Sequence, residues 1–123
     1  VTPVALNHVI PTMGFVVQEE GCSVGFVSDT NRTERIWEIL AAAPYLKAVF
    51  LECSFPNSHC WLADKSGHLC PELFDEYVRL LPASVSVIAM HLKPCFFDVI
   101  AKELRQLNLS NVEIGVPEQY YEF

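Results

Sequence analysis

The chain has 123 residues, 51% of them hydrophobic, and a formal net charge of −7. That length fits one domain or part of one, with enough apolar material for a core. The acidic balance excludes nonspecific phosphate-backbone binding as a main role, so no nucleic-acid partner is expected. No apolar run reaches the roughly 20 residues that span a bilayer, so no membrane partner is expected either.

Residues 4–10 read as a strand that includes His8, broken by Pro11-Thr12. Residues 14–18 read as a second strand. Glu20-Gly21 supplies a turn, and residues 23–27 return antiparallel to it. Ile36, Trp37, Ile39, Leu40 and Ala43 then recur at helical spacing until Pro44 stops them. Residues 47–53 form a near-continuous apolar run, the mark of a strand buried on both faces, and it ends in Glu52. Residues 54–67 read as irregular or only briefly helical. Pro71 opens a second helix, with Leu73, Phe74, Tyr77, Val78 and Leu81 on its apolar face. Residues 85–90 form a buried strand that delivers His91. A third helix over 96–107 and a short strand over 112–116 complete the chain. The order is βββαβαβαβ, an α/β mixed sheet with helices on one face, and the alternating later part predicts parallel strands.

Four polar groups sit where an apolar strand ends or a sharp turn begins: His8, Asp29, Glu52 and His91, of which the last three belong to the strands expected to run parallel. Parallel strands bring their C-terminal ends to one edge, where α/β folds place their sites. Imidazoles and a carboxylate converging there match what zinc, manganese or iron takes from nitrogen and oxygen ligands. His8 and His68, the latter in a loop ahead of a helix, are further candidates. Each has a plainer reading as well. Asp29, Thr30 or Asn31 can cap the helix that follows, and a lone His is often structural. Five cysteines without a Cys-x-x-Cys pair argue against a zinc knuckle, and their odd number favours reduced thiols and a cytoplasmic setting.

Four blocks add a resemblance: Gly25-Phe26-Val27-Ser28-Asp29-Thr30, Phe50-Leu51-Glu52-Cys53-Ser54-Phe55-Pro56-Asn57, Gly67-His68-Leu69-Cys70-Pro71 and Met90-His91-Leu92-Lys93-Pro94. In order and spacing they resemble the C-terminal half of the class II cyclic-nucleotide phosphodiesterases, within the metallo-β-lactamase superfamily. Cys70 departs from the Thr usual in that family. The resemblance implies half of a four-layer αββα sandwich, with residues 1–123 as the C-terminal part of the hydrolase domain. It implies two zinc ions, with manganese or iron as alternatives, that activate a hydroxide. Asp29, His91 and, most loosely matched, His8 would be metal ligands, while Glu52 and His68 would assist proton transfer. The family's His-x-His-x-Asp-His motif, which lies in the N-terminal half, does not occur here. An N-terminal half is therefore an expected partner, with a cyclic nucleotide such as cyclic AMP and a second copy of the chain. The 123 residues alone are expected to be inactive. A tRNA 3′-processing nuclease of the same superfamily and a non-catalytic interaction half-domain are the alternatives.

Overall fold

A computed structural model describes residues 1–123. Six strands form one sheet whose spatial order is also the chain order: β1 (Thr2–Ala5), β2 (Met13–Glu19), β3 (Cys22–Val27), β4 (Leu46–Glu52), β5 (Ser86–Met90) and β6 (Val112–Ile114). The first three pair antiparallel, and β3 through β6 pair parallel. Gly21 makes the two-residue turn between β2 and β3 with φ 71°, a left-handed conformation that glycine adopts without a Cβ clash.

Four helices connect the later strands, one more than the sequence predicts: α1 (Arg35–Ala42), α2 (Cys60–Ser66), α3 (Pro71–Val78) and α4 (Phe97–Gln106). Helix α1 stops where Ala43 turns extended, φ −69° and ψ 124°, as a residue before proline is pushed to do. Its N-cap is Glu34, with no side-chain capping bond, so Asp29, Thr30 and Asn31 are not its caps. The extra helix, α2, is seven residues long and lies in the stretch read as irregular or only briefly helical. It buries only Ala63 fully, too little to leave an apolar period in the sequence.

Sheet residues alternate faces. Val16, Val27, Val49, Leu51, Val87 and Ala89 join buried side chains of all four helices in one cluster of 23 residues. The opposite positions carry Phe15, Val17 and Phe26, exposed at 42%, 37% and 37%. Phe26 stacks on Phe50 across the β3–β4 pair at 5.0 Å between ring centroids, and Tyr121 of the C-terminal segment meets Phe50 edge-on at 5.4 Å. The sheet thus has a helix-covered face and a largely open apolar one. None of the helices is long and apolar enough to cross a membrane.

One expectation about the thiols is overturned. Cys60, at the start of α2, and Cys70, just ahead of α3, form a disulfide with their Cα atoms 5.4 Å apart. Two helix starts meet in space, which ten residues of sequence separation did not reveal. Cys22, Cys53 and Cys95 are free. Burial, and then the nearby Glu52 and Glu103 carboxylates, push the Cys53 thiol well above its ordinary range, which keeps it protonated and unreactive. Denatured without reductant, the protein is expected to show three titratable thiols of its five. In the native state an alkylating reagent should modify the exposed Cys95 and spare Cys53. Five thiols without reductant would rule the disulfide out.

Candidate metal centre

The site lies where β3, β4 and β5 end. Their registers place Val27 beside Leu51, Leu51 beside Ala89, and Glu52 beside Met90. Asp29 therefore leaves the sheet two residues past β3, Glu52 closes β4, and His91 follows β5 directly. Asp29 and His91 both have positive φ, 53° and 60°. Side chains other than glycine rarely sit there, and each such residue costs about 1–2 kcal/mol unless its surroundings hold it. Two of them side by side at one sheet edge mark a place where the chain is bent to aim a side chain.

His68 arrives by another route. Gly67 ends α2 in the left-handed conformation, φ 77°, and swings the next residue back toward the sheet. The His68 amide donates to Ala63 O at 2.8 Å. A Cβ on residue 67 would lie 2.7 Å from His8 Nδ1, so close packing also requires glycine here.

Asp29, His68 and His91 each present a ligand atom, and these atoms lie within 4.8 Å of one another. His91 Nδ1 stands 2.7 Å from Asp29 Oδ1. The contact lacks hydrogen-bond geometry, and Asp29 Oδ1 is a buried oxygen without a hydrogen-bond partner. A buried, unpartnered carboxylate oxygen with two imidazoles beside it fits a divalent cation held by that oxygen and one nitrogen of each ring.

Glu52 stands behind the trio. It is fully buried, and its oxygens accept from four donors: Thr30 N at 3.0 Å, His68 Nδ1 at 2.8 Å, Ser54 Oγ at 2.7 Å and Leu69 N at 3.3 Å. With Nδ1 of His68 donating to Glu52, Nε2 is left as a lone-pair donor. Asn31 Nδ2 donates to His68 O at 2.8 Å and holds the loop from the other side.

His8 stands outside the trio. It lies in the loop after β1, because that strand ends at Ala5 rather than running to residue 10. Its Nδ1 pairs with Gly67 O at 2.8 Å, and its ring meets His68 edge-on at 4.9 Å between centroids. His59 lies apart, packed on Phe96 at 4.7 Å. Beside His91 an apolar groove of about 860 Å³ opens between Met90, Leu92, Phe97, Val116 and Tyr121. The group that sequence reasoning missed is Ser54, buried between Glu52 and the two imidazoles. A lone serine after a strand carries no signal by itself.

Comparison with solved structures gives the fold. The chain has part of the metallo-β-lactamase fold. It is similar to the metallo-β-lactamase fold protein YhfI from Bacillus subtilis, with TM-score 0.74, 16% identity and 93% of this chain covering 45% of that one. It is also similar to the short form of human tRNase Z, ELAC1, at TM-score 0.68 and 15% identity, with 92% and 39% covered. Unliganded yeast PDE1 matches at TM-score 0.67 and 22% identity, with 92% and 42% covered. The chain therefore spans less than half the length of each. No protein-family model and no curated protein sequence matches it.

Proposed function

We propose that this chain is the C-terminal part of a metal-dependent phosphodiester hydrolase domain, with a 3′,5′-cyclic nucleotide such as cyclic AMP as substrate. The observation that carries the proposal is the convergence of Asp29, His68 and His91 in front of the buried Glu52. Those three would hold a zinc ion, or manganese or iron in its place, and His8, whose ring meets that of His68 edge-on, would be a further ligand only through its Nε2, since its Nδ1 pairs with Gly67 O. A bound cation supplies Lewis-acid polarisation of the phosphoryl group and activation of water.

The chain's own residues do the rest. Glu52 holds His68 with Nδ1 protonated, so that Nε2 faces outward to bind or to carry a proton. An apolar groove lined by Leu92 and Phe97 adjoins His91 and would lie against the base of a bound nucleotide. The net charge of −7 favours a small cyclic nucleotide over a tRNA. The similarity to human tRNase Z keeps RNA 3′-end processing as the second reading.

Three residues from one half-site make a weak, single-ion site whose occupancy falls at low pH, because protons compete for the imidazoles. An N-terminal half carrying further ligands would complete it, docked on the open apolar face. The purified chain is expected to bind one zinc ion and to leave cyclic AMP intact, while the whole protein hydrolyses it. A whole protein that cleaves a 3′-extended tRNA and not cyclic AMP would move the assignment to the second reading. Absence of activity on both would leave the interaction half-domain.

A further inference from the structure

Ser54 is buried to 0% exposure at the centre of the polar cluster. Its backbone joins the two loops that bear imidazoles. Ser54 N donates to Leu69 O at 3.1 Å on the His68 side, and Ser54 O accepts from Lys93 N at 3.4 Å on the His91 side. Its hydroxyl lies 2.7 Å from Glu52 Oε2, 3.2 Å from His68 Nδ1 and 3.2 Å from His91 Nδ1.

A hydroxyl has one proton to donate and two lone pairs that accept. A carboxylate only accepts, so the Ser54 proton goes to Glu52 Oε2, the shortest of the three contacts. Ser54 Oγ is then an acceptor for both rings. His68 has a better partner in Glu52 Oε1 at 2.8 Å. His91 has no other hydrogen bond, since its contact with Asp29 Oδ1 lacks the geometry of one. The position of the imidazole proton follows the hydrogen bond its ring nitrogen makes.

We propose that Ser54 is a positioning residue that holds His91 in the Nδ1–H tautomer and so leaves Nε2 free to bind a cation. One carboxylate thereby orients both imidazoles, His68 directly and His91 through the serine hydroxyl. The cation-binding part rests on the metal-centre reading above, while the tautomer assignment stands on the hydrogen bonds alone. Ser54 itself is closed to solvent, so its hydroxyl acts on the two rings and not on a bound molecule.

The test uses the 123-residue chain and the variants Ser54→Ala and Ser54→Thr. Long-range proton–nitrogen NMR correlations, recorded above the imidazole titration range, report which ring nitrogen carries the proton. Calorimetry with zinc chloride reports affinity. Wild type and Ser54→Thr are expected to show His91 protonated on Nδ1. Ser54→Ala should show a mixture of tautomers and zinc affinity lower by about 10–100-fold, the usual loss when a ligand's orienting partner is removed. Protonation of wild-type His91 on Nε2 overturns the proposal, and it needs no variant to fold. An unchanged tautomer in a folded Ser54→Ala protein overturns it too. Zinc that fails to bind wild type, with the tautomer shift still present, removes the metal reading and keeps the Ser54 assignment. Zinc that binds wild type and Ser54→Ala equally, with one tautomer in both, does the reverse.

Discussion

Replacing Asp29 is expected to remove zinc binding while leaving the fold in place. The two effects separate because of how the side chain is used. Its Oδ1 makes no hydrogen bond, so no partner is orphaned when the carboxylate goes. The trio then retains two imidazoles, fewer than the three protein ligands a zinc site takes, and loses its carboxylate. Affinity should fall by about 100-fold or more, beyond the loss that follows removal of a mere orienting group. The backbone sets the choice of variant. At φ 53° asparagine is tolerated as well as aspartate, whereas alanine is not. Asp29→Asn should therefore keep wild-type stability and Asp29→Ala lose about 1 kcal/mol, with zinc weakened in both. Calorimetry beside urea unfolding separates these outcomes. Wild-type zinc affinity in Asp29→Asn would exclude this carboxylate as a ligand.

Glu52 should behave in the opposite way. Removing it is chiefly a folding lesion. Four donors end on its two oxygens inside a site closed to water. Glu52→Ala strands all four and leaves a void where the side chain was. Breaking a buried, hydrogen-bonded carboxylate–imidazole pair from one side costs about 3–5 kcal/mol. That is a large share of the 5–15 kcal/mol that ordinarily keeps a domain folded. Glu52→Gln is milder in shape but aims an amide N–H₂ at donors, so it too should destabilise. The urea midpoint is the measurement. A loss below about 1 kcal/mol in Glu52→Ala would mean that this network is not what closes the strand ends.

Much of the architecture is legible in the chain because proline, glycine and strand-end polar residues punctuate it. Pro44 and Pro71 mark real helix boundaries, and Asp29, Glu52 and His91 do meet at one edge. What could not be read depends on partners distant in sequence. The alternating residues around His8 suggest a strand, yet the chain leaves the sheet at Leu6, whose amide bonds Thr12 O at 2.9 Å. Asn7 then takes its partners from the loop after β3: its amide from Thr30 Oγ1, its carbonyl from Asn31 N and its side chain from Arg32 O. That stitching carries His8 to the Gly67 carbonyl, and no local pattern announces it. Helix α2 leaves no apolar period in the sequence because one small residue is all it buries fully, and Gly67, its left-handed stop, marks its end. Ser54 matters only through groups 2, 14 and 37 residues away.

The agreement between sheet order and chain order has a consequence for how the molecule is made. Each strand after the first finds its neighbour already synthesised, and no strand must be inserted between two others. Assembly of this sheet can then proceed from β1 onward as the strands emerge, with each pairing closing only the loop just made. On that route Asp29 is in place first, Glu52 next and His91 only when β5 docks. The polar cluster is therefore a late event, and the hydrogen bonds around Ser54 report its completion. Amide exchange pulsed on nascent chains of increasing length is expected to protect β2 and β3 before the Lys93 amide, whose acceptor is Ser54 O. Simultaneous protection of all these amides would point to a single concerted collapse instead.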